Sequence, residues 1–198
     1  MFAADKPEKG FTALFNGQDL TGWTKAKENE DAFQVKDGVI VANGKRSHLY
    51  FTGPFKGKAP NFKNFELKVD VMTKQTSNGG IYFHTAYQEL SWPEKGFEVQ
   101  VNNSHTDRIR GGSLYHVVDL SNIPAKDDEW YPMEINVQDM VITITVKGEQ
   151  VVRWKQPADW TTNYDTASRK IAPGTFAFQA HDPNSVTAYA NIRVKALK

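Results

Sequence analysis

Short runs that alternate apolar and polar residues, broken by glycine, proline and Asp-Gly turns, recur along the whole chain and leave little room for anything but β-structure. In Asn64-Phe-Glu-Leu-Lys-Val-Asp-Val-Met-Thr73, Phe65, Leu67, Val69 and Val71 share one face, while Glu66, Lys68, Asp70 and Met72 share the other. The same period of two marks 32–36, 38–42, 80–84, 97–101, 133–137, 141–146, 150–154, 175–179 and 190–194. Lys36-Asp37-Gly38 and Lys147-Gly148-Glu149 carry hairpin-turn chemistry between such runs. Two stretches, 53–61 and 102–125, are long and aperiodic, as binding loops on a rigid scaffold are. These features predict an all-β sandwich of two antiparallel sheets, with residues 10–198 forming one domain.

Composition narrows the function classes. Twelve Phe, seven Tyr and five Trp supply a packed interior with aromatic faces to spare, and those faces suit stacking on the apolar side of a sugar ring. Trp23, Tyr87, Trp92, Trp130 and Trp160 are candidates, with Trp92 and Trp160 in loop-like segments. A net charge of +1 with dispersed basic residues offers no footprint for nucleic acid. The absence of cysteine excludes disulfides, thiolate metal sites and cysteine nucleophiles. No apolar stretch is long enough for a membrane span. The opening residues 1–9 are expected to be the stub left when a signal peptide is removed, which places the protein in the periplasm or outside the cell.

Strand parity then selects a face. With Phe97, Val99 and Val101 turned inward, Glu98, Gln100 and Asn102 project together on the other side. By the same rule Tyr82 and His84 project from the strand that buries Ile81 and Phe83, and Gln179 and His181 from the one that buries Phe176 and Phe178. If these strands are neighbours, Glu98, Gln100, His84, Tyr82, Gln179 and His181 line one groove for an uncharged polar ligand.

Several segments resemble the 3-keto-disaccharide hydrolase family: the opening Gly10-Phe-Thr-Ala-Leu-Phe-Asn-Gly-Gln-Asp-Leu-Thr-Gly-Trp23, then Asn78-Gly-Gly-Ile-Tyr-Phe-His84, Gly96-Phe-Glu-Val-Gln-Val101, Gly112-Ser-Leu-Tyr115, Phe178-Gln-Ala-His181 and Asn191-Ile-Arg-Val194. The resemblance implies a concanavalin A-like jelly roll with a carbohydrate site on its concave sheet, lined by Glu98, Gln100, Tyr115 and His181. It also implies a partner oxidoreductase that makes keto sugars. His84 and Ala190 stand where the family usually has Arg, so the groove is expected to lack two cations.

A glycosidase of the usual kind needs two carboxylates roughly 5–10 Å apart, and Glu98-x-Gln100-x-Asn102 supplies one. Asp70, Glu66, Asp107 or Asp182 would have to supply the other. A 3-keto sugar offers a second route, because its carbonyl acidifies the hydrogen on C2 and lets the C1 substituent leave by elimination. The expected catalytic set is Glu98 or His181 as base, with His84 and Tyr115 assisting the leaving group and the developing enediolate. Gln100, Tyr82, Gln179, Asn102 and Trp92 are the expected substrate contacts. A divalent metal on His84, Glu98 and His181 is a further option. A non-catalytic carbohydrate-binding module is the alternative reading.

Overall fold

A computed structural model describes residues 8–161 and 169–198; most of the expected N-terminal stub lies outside them. Thirteen strands are present among the described residues: β1 (Thr12–Ala13), β2 (Trp23–Lys25), β3 (Phe33–Lys36), β4 (Val39–Asn43), β5 (Ser47–Phe51), β6 (Phe65–Thr73), β7 (Asn78–Thr85), β8 (Phe97–Asn102), β9 (Tyr131–Gln138), β10 (Val141–Val146), β11 (Glu149–Lys155), β12 (Thr175–Ala180) and β13 (Val186–Ala196). They form two antiparallel sheets. The larger runs β11-β10-β9-β6-β13-β4-β3, with β1 also paired to β13, and the smaller runs β2-β5-β12-β7-β8. One 3-10 turn, Glu30–Ala32, is the only helical element among the described residues, and no helix is long and apolar enough to cross a membrane.

The core lies between the sheets. Phe65, Leu67, Val69 and Val71 of β6 and Tyr131, Met133, Ile135 and Val137 of β9 meet Leu49, Ile81, Phe83, Phe97, Val99, Val101, Phe176 and Phe178 from the smaller sheet, all buried in one cluster. At about 25 cal/mol per Å² of apolar surface, this burial is the main force holding the layers together. It also fixes register, since a one-residue slip in any strand would turn its apolar set outward.

Pairing arranges the opposite face of the smaller sheet in rows. Gln100, Gly80, Gln179 and His48 are successive cross-strand partners, as are Glu98, Tyr82, Ala177, Tyr50 and Thr24. These outward side chains are nonetheless buried from β5 to β8, unlike a face open to solvent. The connections after β7, β8 and β11 cover them, contributing Trp92 and Pro93, Tyr115, and Arg169.

The alternation of β7 breaks at one residue. On β12, Phe176 pairs with Phe83 and Thr175 with Thr85, so His84 is left over as a bulge with φ 57°. Two glycines make room for it. A Cβ on Gly174 or on Gly96, which itself has φ 83°, would overlap the backbone of residues 83–85. Gly96→Ala is therefore expected to destabilise the fold by about 2 kcal/mol or more. Gly57→Ala, at φ 77° with nothing nearby, should cost only about 1 kcal/mol. Urea unfolding of both variants checks this, and equal losses would contradict the bulge as a packed feature.

Candidate functional site

The centre of the covered face is Glu98, which is 5% exposed. Tyr82, its cross-strand neighbour, donates its hydroxyl hydrogen to Glu98 Oε2 at 2.8 Å. Gln179 Nε2 donates to Glu98 Oε1 and to the Tyr82 hydroxyl, both at 3.0 Å. The carboxyl fits because residue 80 is glycine: a Cβ there would overlap Glu98 Oε1 and come within 3.0 Å of its Cδ. Burial pushes the Glu98 pKa up to about 7, against the pull of Tyr82, Arg169 and Gln179. Tyr82 is driven well above its ordinary range, first by burial and then by the Glu98 charge, so it remains a donor.

Around this carboxyl lies a groove of about 450 Å³, within the range of small-molecule sites. Its lining includes Gln100, Tyr82, Gln179, Tyr115, His181 and Trp92, so six of the predicted side chains converge with Glu98. Gln100 Nε2 donates to Asn78 Oδ1 at 3.2 Å. Trp92, 40% exposed, forms part of the mouth, with its ring 5.6 Å from that of His181 and the Arg46 guanidinium 5.2 Å from its centre. His181 Nδ1 lies 3.0 Å from Asp182 Oδ2.

Other expected residues stand elsewhere. The bulge turns His84 away from the groove, between Phe65 and Phe83, with Nε2 2.9 Å from the Lys63 carbonyl. Desolvation lowers its pKa to about 4, and it lines a separate cavity of about 360 Å³. Asn102 is spent on structure. Its amide donates to the carbonyls of Asp107 and Ile109, while its Oδ1 accepts from the His105 N–H and from Arg110, which shapes the loop after β8. Trp23 is core, stacked on Phe178, and Trp160 packs on Trp154 and donates to the Arg169 carbonyl.

The expected loss of two cations does not apply to the groove. His84 is outside it, and Ala190 packs with Val39 and Ala188 on the larger sheet. The groove also holds a cation that no periodic pattern marks. Arg169 reaches it from an aperiodic segment, donating to the Tyr115 carbonyl at 2.7 Å and lying 6.0 Å from that ring's centre.

Among the candidate second carboxylates, Asp70 and Glu66 belong to the larger sheet and engage Asn191 and Lys68. Asp107 and Asp182 do not belong to the groove lining: Asp107 Oδ1 accepts the Ile109 N–H and Asp182 Oδ2 the Ser185 hydroxyl hydrogen. Glu94, exposed at the rim, is the second carboxylate that the lining contains. The metal set His84, Glu98 and His181 is not assembled, since His84 lies apart. His105, His181 and Asp182 do bring candidate ligand atoms within 4.8 Å of one another. However, His105 Nδ1 accepts the Asp107 N–H at 3.0 Å, which leaves the ring's own hydrogen on Nε2. Nε2 then faces Asp182 Oδ2, 3.8 Å away, as a donor, so this trio does not fit a metal ion as it is hydrogen-bonded.

Comparison with solved structures agrees with this architecture. A candidate glycosyl hydrolase from Parabacteroides distasonis superposes with a TM-score of 0.79 at 24% identity, covering 96% of this chain and 95% of that one. The carbohydrate-binding module CBM66 from Bacillus subtilis gives 0.59 at 10% identity over 88% and 96%. SCLam, a non-specific endo-β-1,3(4)-glucanase of family GH16, gives 0.56 at 12% identity over 94% and 91%. The two-sheet fold is thus the concanavalin A-like jelly roll of lectins and glucanases. No curated protein matches the chain in sequence. Residues 10–195 match the family described as the 3-keto-alpha-glucoside-1,2-lyase-like domain, and the chain belongs to that family.

Proposed function

We propose that the protein cleaves 3-keto-glycosides by elimination across C1 and C2 in the Glu98 groove. The observation that carries this reading is one buried carboxyl poised near neutrality, bonded by Tyr82 and Gln179 and sharing its groove with His181 and Arg169. Acid–base catalysis is most effective when a group's pKa lies near the working pH.

The atoms balance with these residues alone. His181 takes the C2 proton, and the electron pair moves onto the C3 carbonyl oxygen, whose negative charge Arg169 and Tyr115 stabilise. As the enolate collapses to a C1–C2 double bond, the C1–O bond breaks and Glu98 gives its proton to the departing oxygen. Water then adds at C1. Glu98 takes a proton from that water, and His181 returns one to C2. Trp92 offers a ring at the mouth for stacking on the sugar, and Gln100 polar contacts for its hydroxyls. The keto group requires an oxidoreductase acting beforehand on the same glycoside.

Glu94 supports a second reading, a two-carboxylate hydrolysis with Glu98, because it is in the same lining. Turnover of a 3-keto-glycoside separates the two. Elimination predicts a loss of about a hundredfold or more in kcat for His181→Gln and for Glu98→Gln, with less than about fivefold for Glu94→Gln. The reverse order would overturn it. Binding with no turnover by the wild type would make the protein a carbohydrate-binding module instead.

With Glu98 as the acid, kcat/KM should fall as pH rises through about 7, where the carboxyl loses its proton. A rise over that range would assign Glu98 as the base.

The same burial has a stability signature. Folded Glu98 keeps its proton up to about pH 7, whereas an unfolded chain loses it near 4.5. The folded state therefore binds more protons in between, and the contribution of this group to stability falls as pH rises through that window. Buried His48 and His84, lowered to about 3 and about 4 by desolvation, act oppositely up to 6.5. The difference between Glu98→Gln and wild type isolates the carboxyl. It should shift in the variant's favour by about 3 kcal/mol between pH 4.5 and 7, measured by chemical unfolding. A difference independent of pH would contradict the buried-acid assignment.

A further inference from the structure

His181 directly follows β12, and the residue after it is an aspartate whose geometry is unusually constrained. Asp182 Oδ1 accepts the Asn184 N–H at 2.9 Å, and Oδ2 accepts the Ser185 hydroxyl hydrogen at 2.6 Å. Ser185 Oγ accepts the Asn78 N–H at 2.8 Å, while Ser77 Oγ accepts the Val186 N–H at 2.8 Å. The turn carrying the carboxylate is thus pinned to the start of β7, which is itself part of the groove's floor.

Two imidazoles face this carboxylate. His181 Nδ1 is 3.0 Å from Oδ2, and His105 Nε2 is 3.8 Å from the same atom. Although partial burial opposes it, hydrogen bonds from Ser185 and His181 hold the Asp182 pKa below its ordinary value. A carboxylate only accepts, so the hydrogen in the 3.0 Å contact belongs to His181 Nδ1. In a neutral imidazole that leaves Nε2 with a lone pair and no hydrogen.

We propose that Asp182 is a positioning residue that fixes the Nδ1–H tautomer of His181 and so presents Nε2 to the substrate as the proton acceptor. The proposal rests on the reading of His181 as the base. It assigns a partner to that base, held by backbone and serine contacts independent of Glu98. An aspartate behind a catalytic histidine does this work in hydrolases of unrelated fold, where replacing it by asparagine imposes the wrong tautomer.

The test is long-range ¹⁵N–¹H NMR of the histidine rings in the full chain at pH 8, with His181→Gln used to assign the His181 signals. Wild type should show His181 protonated at Nδ1. Asp182→Asn, whose amide can donate to Nδ1, should move the hydrogen to Nε2, and Asp182→Ala should release the ring to the same form. Turnover of a 3-keto-glycoside by both variants should fall about a hundredfold or more in kcat, with KM changed less than about threefold. A wild-type His181 already protonated at Nε2, or a tautomer unaltered by either substitution, would overturn the proposal. So would wild-type turnover by Asp182→Asn alongside a slow His181→Gln. A tautomer that switches while His181→Gln retains full turnover would support the clamp and overturn the base assignment.

Discussion

The site depends on a single buried contact, the carboxyl of Glu98 held by Tyr82 and Gln179 against the bare backbone of Gly80. Three neighbouring strands contribute one residue each, and the fourth position is glycine because any side chain would occupy the carboxyl's space. Burying a carboxyl costs stability unless its partners are well placed. Here two donors satisfy it without cancelling the desolvation, which leaves the group near neutrality. The sheet's inward face, a continuous apolar layer, supplies the energy that makes this outward arrangement affordable.

From that contact the rest of the groove follows by connection. Strands provide the floor, where positions are set by register, and loops add Trp92, Tyr115 and Arg169. In the proposed elimination the Arg169 cation suits the charge that develops on the C3 oxygen, and the neutral-range carboxyl suits protonation of the oxygen leaving C1. β8 itself carries one carboxylate, Glu98, with Gln100 next to it on the same face.

Much of the floor was legible in the sequence because parity is a local property. The alternation in 97–101 and 175–179 put Glu98, Gln100 and Gln179 on one face, and pairing with β7 brought Tyr82 to them. His84 was misplaced for the same reason, since a bulge resets the parity and nothing in Tyr82-Phe-His84 marks it. The strand Ser47–Phe51 carries no readable alternation because all five residues are buried, so neither His48 nor Tyr50 is marked as facing the site. Arg169 lies in a segment with no period at all. The hydrogen bonds that occupy Asn102 run to residues three to eight positions ahead in an irregular loop, where no periodic rule applies.

The central claim is that C2 of the sugar, and not only C1, takes part in cleavage. Turnover of a 3-keto-glycoside in D₂O, sampled early and read by mass spectrometry and NMR, tests it most directly. Because His181 is partly open to solvent and its acquired proton exchanges before it is returned, elimination followed by hydration predicts one deuterium at C2 of the released keto sugar. Cleavage with the original hydrogen retained at C2 would contradict the account.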